Sequence, residues 1–461
     1  MNSDLPRLDR SLPGTPAAAP IRLVHIGLGN FHRAHQTWYT AHAPDADEWG
    51  YASFTGSSPR VADALKPQDG LYTLIVRSSD GDRLETIGSL SAVHAASEHA
   101  TYLNYLAQPE TAVVTATVTE AGYLRRPDGH LNTEDEVLAG DLAALRQDPR
   151  RLVRSLPARL LAGLLARRTS AAGALTIASC DNLPGNGEVT RSVVYDLAAL
   201  VDESLMGWMD EHIEFASSMV DRITPAANDD DRSSVRDRCG YLDAAPVVTE
   251  PFSEWIVSGR FPAGRPRWEE AGATLVEDVE PFEQRKLWLL NGSHTLLAYA
   301  GSIRGHETID QAISDSRCRS WVTDVWDEAS RHLSLAPEEV NSYRQALLER
   351  FSNPRMRDYL ARIAADGSQK LPVRTVPVVL AERQAGRLPR GGATCLAAWV
   401  LHLRGLGVAV RDPGAAVARA AANGKELADA VPAVLNTLQQ GLGEDDELVA
   451  LVVHQAADIQ S

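Results

Sequence analysis

Three strongly polar side chains lie among the leucines of a largely apolar stretch, KLWLLNGSHTLLAYAG, at residues 286–301. They are the amine of Lys286, the amide of Asn291 and the imidazole of His294. On an α-helix, which turns about 100° per residue, the three would fall within an arc of about 140°. One wide helix face would then carry all three groups.

Groups of these types suit the oxidation of an alcohol without a metal ion. Burial lowers the pKa of a lysine amine in general, and such an amine can then accept a hydroxyl proton. An amide N–H can stabilise the developing alkoxide, and an imidazole can orient the substrate. The spacing fits equally a plain helix at a domain interface, with Lys286 extending to solvent and Asn291-Gly292 marking a break.

A second amide candidate lies in SCDNLPGNG, residues 179–187. Asn182 follows a predicted buried strand and precedes a loop that contains proline and glycine. In open α/β sheets such strand ends face the ligand crevice. The pair Asp181-Asn182 is also a common turn former, so the position alone does not establish a role.

A glycine turn follows the first predicted strand in IRLVHIGLGNFHRAH, residues 21–35. In a dinucleotide-binding fingerprint the first glycine permits a tight turn, and the second lets the backbone approach the pyrophosphate. Gly27 and Gly29 match these positions, whereas His32 replaces the third glycine. The pattern predicts dinucleotide binding, with a plain strand-to-helix turn as the alternative.

The second predicted strand ends in GYASFTGSSPR, residues 50–60, without the acidic residue that normally binds the ribose hydroxyls of NAD. Arg60 could bind the 2'-phosphate of NADP, or it could be a solvated surface arginine. At this point the choice between NAD and NADP stays open.

Strands that alternate with helices must position these groups. The run Ile21–Ile26 has the composition of a buried parallel strand. Further candidate strands lie at residues 51–56, 71–79, 111–123 and 173–182, with helix-like stretches between several of them. The alternation predicts an α/β fold with a Rossmann-type doubly wound parallel sheet in the N-terminal domain.

The pattern becomes mostly α-helical from about residue 281. We therefore expect a loose leader at residues 1–20, a Rossmann-type dinucleotide-binding domain at 21–280 and an α-helical substrate and catalytic domain at 281–461. A chain of 461 residues is long enough for two cores.

Composition excludes several classes of function. The formal charge of -16 disfavours a nucleic-acid partner. The four cysteines are far apart and form no C-x-x-C pair, so neither a disulfide scaffold nor a structural zinc site is indicated. No apolar run is long enough for a membrane span, and we expect a cytoplasmic protein. The oligomeric state, monomer or homodimer, is left open.

Eight collinear segments resemble the polyol-specific long-chain dehydrogenase/reductase family, which includes mannitol 2-dehydrogenase, fructuronate and tagaturonate reductases and arabinitol 4-dehydrogenase. The segments are GLGNFHRAH, QDGLYTL, TVTEAGY, SCDNLPGNG, MVDRITP, EPFSEWIV, KLWLLNGSH and DGSQKLP. The resemblance implies hydride transfer between NAD and the carbon of a secondary alcohol or ketone, without a metal. NADP is not excluded as the cofactor.

The resemblance also implies roles for particular residues. Lys286 would be the general base in oxidation and the acid in reduction, Asn182 and Asn291 would stabilise the reacting oxygen, and His294 would bind the substrate. Glu283 would lie on a proton path, with an ion pair to Lys286 as the alternative. Further substrate-binding positions are Asp221, Arg362 and Lys370, and the cofactor-binding positions are Gly27, Gly29, Phe31, His32, Arg33 and Arg60.

The expected reaction interconverts a sugar alcohol and a ketose, of the mannitol/fructose type or its 1-phosphate/6-phosphate pair. The alternative is a reductase of a keto-sugar acid such as fructuronate or tagaturonate, which DGSQKLP favours. A non-catalytic nucleotide-binding regulator is a third possibility, disfavoured because the lysine and both asparagines are present. A zinc-dependent polyol dehydrogenase would need a ligand cluster that the sequence does not show.

Overall fold

The computed structural model describes residues 5–461, and the chain divides into two compact units. Unit 1 ends at Glu280, and unit 2 spans Pro281–Ser461. Unit 1 contains strands and helices, whereas the regular elements described in unit 2 are all helical. The expected change of character near residue 281 is therefore present in the structure.

The main sheet of unit 1 has eight strands in the order β11-β10-β8-β7-β6-β1-β2-β5. The six strands from β5 to β8 are parallel and follow the strand order of dinucleotide-binding folds. β10 then pairs antiparallel with β8, and β11 pairs parallel with β10. The strands of unit 1 are β1 Ile21–Ile26, β2 Gly50–Phe54, β3 Tyr72–Ser78, β4 Gly81–Ile87, β5 Leu90–His94, β6 Val113–Ala116, β7 Leu175–Ser179, β8 Ile213–Asp221, β9 Val247–Thr249, β10 Glu254–Ser258 and β11 Thr274–Val276.

This topology confirms the Rossmann-type fold and corrects one strand assignment. The strand expected at residues 71–79 is β3, which lies in a separate three-stranded sheet of order β4-β3-β9. β3 and β4 form an antiparallel hairpin in which Ser78 is opposite Gly81, so only two residues connect the strands. The signal for this hairpin was the run Ser-Ser-Asp-Gly at residues 78–81, whose residue types are typical of turns.

In the described residues before Glu280, nine α-helices accompany the strands. The core between α4, α6, α7 and the sheet is built largely from leucine, valine and alanine side chains that are almost completely buried. The helices are α1 Asn30–Ala34, α2 Gln36–His42, α3 Arg60–Leu65, α4 His99–Leu106, α5 Glu136–Gln147, α6 Leu156–Ser170, α7 Asn186–Val201, α8 Ser204–His212 and α9 Asp229–Cys239.

The segment before β1 is attached to unit 1, which corrects the expectation of a loose leader for residues 5–20. Leu8 is completely buried, and its backbone N–H donates to Leu242 O at 2.9 Å. The guanidinium of Arg10 donates to the carbonyl oxygens of Pro16, Asp69, Gly88 and Leu90 at 2.5–3.2 Å. One arginine thus satisfies four backbone acceptors that no sequence pattern connects.

Unit 2 is built from helices packed around α13 and α18. α18 is buried along nearly its whole length and contacts α13, α17 and α21. The helices, of which the first begins at the last residue of unit 1, are α10 Glu280–Arg285, α11 Gly292–Leu296, α12 Ile309–Ser314, α13 Ser316–Ser330, α14 Pro337–Phe351, α15 Leu360–Ile363, α16 Gly367–Arg374, α17 Val376–Gln384, α18 Arg390–Leu403, α19 Ala416–Ala422, α20 Leu427–Leu438 and α21 Asp446–Gln460.

The segment with the three polar side chains is helical, but it is not a continuous α-helix. α10 leads into a π-helix at Lys286–Asn291, then α11, then a second π-helix at Leu297–Gly301. A π-helix closes i→i+5 hydrogen bonds and most often occurs as a single wide turn at a functional site. The α-helical geometry that we expected for residues 283–300 is therefore wrong in its winding.

Candidate functional site

The glycine turn lies at the carboxyl end of β1, between the neighbouring strands β2 and β6. The N–H groups of Gly27 and Leu28 both donate to Phe54 O at 2.9 Å. Gly27 has φ +110, and a Cβ added there would lie 2.1 Å from Thr117 O. This position requires glycine because the backbone after β6 passes directly beside it.

Gly29 differs from Gly27 because no contact among the described residues requires it to be glycine. A Cβ added there would meet only Gly27 O, at an ordinary 3.5 Å. The turn lies where the strand order reverses between β1 and β6, which is the ligand position of doubly wound sheets. A small residue beside open backbone at this point fits the close approach of a dinucleotide pyrophosphate.

His32 lies beneath the glycine turn and not on its outer edge. The side chain is completely buried, and its Nε2 is 3.0 Å from Ser53 Oγ. Its ring stacks on the ring of His25 at 3.3 Å, with 3° between the planes. Burial lowers the pKa of His25 to about 3 and that of His32 well below its usual range, so both rings are neutral. The cofactor-binding role expected for His32 stays a prediction, and the buried side chain supports the turn from beneath.

Arg33 also points inward and braces the turn. Its Nε donates to Gly29 O at 3.2 Å, and its Nη atoms donate to Ala245 O at 2.5 Å and to Asn30 Oδ1 at 2.7 Å. The side chain is 3% exposed, so it too is a support of the turn and not a surface cation. Phe31 is half-buried, with its ring 4.9 Å from that of His35.

Arg60 lies at the start of α3, in the exposed turn that follows β2. Residues 56–60 are all exposed, and Arg60 has no acidic partner within ion-pair distance among the described residues. Thr55, directly before the turn, is fixed by three hydrogen bonds: its N–H donates to His94 O, its Oγ1 accepts from Ala96 N–H, and its carbonyl accepts from Arg159. Thr55 is therefore held in place directly before an exposed turn, residues 56–60, that contains no acidic residue.

Asn182 is exposed in the loop between β7 and α7. Its neighbour Asp181 accepts a short hydrogen bond from the hydroxyl of Tyr123 and a bond from Leu183 N–H at 3.2 Å. Burial raises the pKa of Asp181 to about 6. The motif TVTEAGY, which the sequence did not connect to this loop, supplies Tyr123 as its neighbour.

Asp221 is the last residue of β8, and it is 4% exposed. β7 and β8 are adjacent parallel strands, so their carboxyl ends lie on the same edge of the sheet. Asn182 lies just after β7 and Asp221 ends β8, so both are at this edge of the sheet. The glycine turn after β1 lies at the same edge.

Lys286, Asn291 and His294 lie in one helical segment of unit 2. Lys286 is 9% exposed, as is Glu283 one turn earlier, and Asn291 and His294 are half-buried. In an α-helix residues five apart point about 140° away from each other, whereas the i→i+5 repeat of a π-helix brings Lys286 and Asn291 closer to one face. The Leu289 carbonyl accepts from Trp326 Nε1 at 3.0 Å, which ties this wide turn to α13.

The two cations expected to bind substrate have partners of their own in unit 2. Arg362 is 73% exposed and forms an ion pair with Asp358 at 2.6 Å. Lys370 donates to the carbonyls of Ile363 at 3.1 Å and Ala365 at 2.6 Å, and burial, followed by repulsion from Arg374, lowers its pKa. Arg374, which sequence reasoning missed, donates to Thr295 Oγ1 at 3.2 Å, beside His294.

Among the described residues, His306, Asp315 and Cys318 form the one group with metal-ligand atoms close together. Asp315 already accepts from Arg304 at 2.8 Å and from two N–H groups at the start of α13. Burial raises the pKa of the Cys318 thiol to about 12. A neighbouring guanidinium and a neutral thiol make this cluster a helix cap and a poor cation site.

The fold and the groups at the carboxyl edge of its sheet define a Rossmann-type oxidoreductase with a helical second unit. Residues 21–270 match the mannitol dehydrogenase Rossmann domain, and residues 278–460 match the mannitol dehydrogenase C-terminal domain. The chain therefore belongs to the mannitol dehydrogenase family, which confirms the resemblance seen in the sequence. It is a nicotinamide dinucleotide-dependent oxidoreductase of the polyol dehydrogenase type, acting on CH–OH groups.

Individual relatives differ in the substrates that they are named for. D-mannonate oxidoreductase of Escherichia coli (strain K12) is 36% identical over 395 residues, which are 84% of this chain and 80% of the relative. D-arabinitol 4-dehydrogenase of Ralstonia nicotianae is 38% identical, over 77% of each chain. The ternary complex of Pseudomonas fluorescens mannitol 2-dehydrogenase with NAD and D-mannitol is 31% identical, with a TM-score of 0.81 over 99% of this chain and 97% of that one.

None of the helices described in residues 5–461 combines the length and the apolar character needed to cross a membrane.

Proposed function

We propose that this chain interconverts a sugar alcohol and a ketose by hydride transfer, with Lys286 as the general acid/base and without zinc. The observation that carries the proposal is the π-helical turn Lys286–Asn291, which brings an amine and an amide towards one face of a mostly buried helix. The His294 ring follows within one further turn. Wide turns of this kind are frequent at functional sites.

In oxidation, Lys286 would take the proton of the reacting hydroxyl group, and in reduction it would return that proton. The amides of Asn182 and Asn291 would donate hydrogen bonds to the reacting oxygen as its charge develops. His294, with Asp221, Arg362 and Lys370, would hold the remaining hydroxyl groups. Glu283, one helical turn before the lysine, would pass the proton onward to solvent.

Residues 21–280 would form the dinucleotide-binding domain and residues 281–461 the substrate and catalytic domain. The bound nicotinamide would supply the hydride in reduction and accept it in oxidation. Gly27 and Gly29 would hold the pyrophosphate, because a dinucleotide fits the glycine turn at the reversal of strand order. The roles proposed for His32 and Arg33 are supports beneath this turn, and Arg60 would read the ribose end.

The substrate proposed first is of the mannitol/fructose type, because several relatives are mannitol 2-dehydrogenases. The second candidate is a sugar acid, with fructuronate or tagaturonate as the keto form. It is favoured by the similarity to D-mannonate oxidoreductase and by the cation Arg374 beside the helix that carries His294. A carboxylate would find a bidentate partner in such a guanidinium.

The test is a spectrophotometric panel of ketones with the purified protein. NADH or NADPH oxidation would be followed with fructose, fructose 6-phosphate, fructuronate and tagaturonate, each against a sample without ketone. Turnover of fructose or its phosphate supports the first proposal. Turnover of the uronates alone would replace it with the sugar-acid reductase, and no turnover of any ketone would contradict both.

The same assay after exhaustive chelation tests the proposed independence from zinc. We expect full activity, because the proton would be handled by an amine and the oxygen by amides. A loss of activity that added zinc restores would contradict this part of the proposal.

A further inference from the structure

Asn186, in the motif SCDNLPGNG, has an environment that distinguishes it from the other polar residues of the loop. Its side chain is completely buried at the first position of α7. The amide Nδ2 donates to Ser218 O at 2.8 Å and to Asp181 O at 3.3 Å, and Oδ1 accepts from Ser218 N–H at 3.0 Å. These three hydrogen bonds all go to the main chain, and they join two separate segments.

The bonds to Ser218 continue the sheet where β7 leaves it. β7 and β8 pair as far as Ala178 and Ala216, but β8 extends to Asp221. On its other side β8 stays paired with β10 over residues 217–221. The amide of Asn186 bonds both the N–H and the C=O of Ser218, as a residue of a neighbouring strand would.

Two further contacts hold the same junction closed. The Ser218 hydroxyl donates to Ser179 O at 2.7 Å, and Gly187 N–H donates to Ser217 Oγ at 3.2 Å. A Cβ added at Gly187 would lie 2.7 Å from the carbonyl carbon of Ala216. The start of α7 therefore lies directly against β8, and the pair Asn186-Gly187 is what this close approach requires.

We propose that Asn186 is a positioning residue of the reaction, joining the loop that carries Asn182 to the strand end that carries Asp221. The inference rests on the proposed function, which assigns Asn182 to the reacting oxygen. One bond reaches the carbonyl of Asp181, directly before Asn182, and two bonds reach Ser218, three residues before Asp221. Loss of the amide would break both connections at once.

Asn186→Ala tests this role, with Gln68→Ala as the matched control. Gln68 is also a completely buried amide of unit 1, and its three bonds go to Leu71 O, Asp243 Oδ1 and Ala244 N–H, away from this loop. Both variants lose a buried amide with three hydrogen bonds, so a general loss of stability affects them alike. Only Asn186→Ala removes the link between residues 181 and 218.

We expect Asn186→Ala to lower kcat about 10- to 100-fold, while the dissociation constant of the dinucleotide stays within about twofold, because misplacing a reacting group by about an ångström has effects of this size. Gln68→Ala should keep kcat within about threefold per folded molecule. Hydrogen–deuterium exchange of residues 180–187 and 214–221 should become faster together in Asn186→Ala and stay unchanged in Gln68→Ala.

An unchanged kcat in Asn186→Ala, or an equal fall in both variants, would overturn the positioning role. Hydrogen–deuterium exchange of both segments in Asn186→Ala that is as slow as in the unaltered protein would overturn it too. If the unaltered protein turned over no ketone, the proposed function would fall, whereas the exchange result would still decide whether Asn186 holds the two segments together.

Discussion

The side chains proposed to act on the substrate are positioned differently in the two units. In unit 1, Asn182 lies in an exposed loop whose two sides are fixed by hydrogen bonds, through Tyr123 to Asp181 and through Asn186 to Ser218. In unit 2, Lys286 and Asn291 belong to the backbone winding of a single helical segment. A loop can place one group accurately only when other segments hold it, whereas a wide helical turn fixes two groups relative to each other through its own backbone.

Replacing Lys286 should have the largest effect, because it removes the proposed acid/base from the helix. We expect Lys286→Ala to lower kcat by about 10²- to 10⁴-fold, the usual contribution of general acid–base catalysis. Dinucleotide binding, followed by fluorescence titration of NADH, should be nearly unchanged. A variant with the rate of the unaltered protein would show that Lys286 is not the general acid/base.

Deleting Leu287 tests whether the winding itself matters. The deletion places the lysine and the asparagine four residues apart, which an α-helical turn can accommodate, and it would rotate Lys286 relative to the following residues. We expect kcat to fall by about 10²-fold with the far-ultraviolet circular dichroism preserved. Leu287→Ala is the control, since it keeps the residue count and should retain most of the activity. Equal activities of the two variants would remove the π-turn from the explanation.

Tyr123→Phe tests the bracing of the loop in unit 1 through its dependence on pH. The pKa of Asp181 in the folded chain is raised to about 6 by burial, so its contribution to stability is fully present below about pH 4 and is lost as the pH rises through about 6. Tyr123 donates to the ionised carboxylate, and removing this donor should raise that pKa further. The free energy of unfolding should therefore fall by about 1–2 kcal/mol more at pH 8 than at pH 5, relative to the unaltered protein.

Tyr195→Phe is the control for this measurement, because Tyr195 donates to Asp210 at 2.6 Å on the exposed surface of the same unit. Urea titrations at both pH values should show a change of less than about 0.5 kcal/mol for this variant. If both variants showed the same dependence on pH, the buried position of Asp181 would not be the cause.

Arg60→Ala should have the smallest effect. This residue follows β2, at the same edge of the sheet as Asn182 but several strands away. If this exposed guanidinium reads a 2'-phosphate, KM for NADPH should rise about tenfold while KM for NADH changes little. Steady-state kinetics with both dinucleotides and one ketone measure the difference. A parallel rise for both would assign Arg60 a general part in the turn.

The parts of this fold that follow from local pattern were predictable, whereas those that depend on distant partners were not. The strand Ile21–Ile26, its glycine turn and the helical second unit were read from hydrophobic runs and periodicity. The placement of His32 beneath the turn depends on the His25 ring, which faces it from the preceding strand. No local sequence pattern predicts such a stack, because the sequence of the turn is the same whether the histidine side chain points to the core or to solvent.

The winding of residues 286–301 shows a different limit. The order and the spacing of the polar groups were visible in the sequence, and the family resemblance implied their roles. Whether five residues span an α or a π turn is decided by packing, such as the bond from Trp326 to the Leu289 carbonyl. The spacing in the sequence identified the candidate residues, and the π-helical winding in the structure brings Lys286 and Asn291 towards one face.

The attachment of residues 5–20 has a consequence for the time course of biosynthesis. Leu8 leaves the ribosome before its backbone partner Leu242, which is made about 230 residues later. At about 5–20 residues per second, that partner arrives roughly 10 to 50 s after Leu8 does. The acceptors of Arg10 at Gly88 and Leu90 arrive much sooner. Residues 5–20 can therefore attach in two steps. The bonds of Arg10 to Gly88 and Leu90 can form first, and the bond of Leu8 to Leu242 can form only when unit 1 is nearly complete.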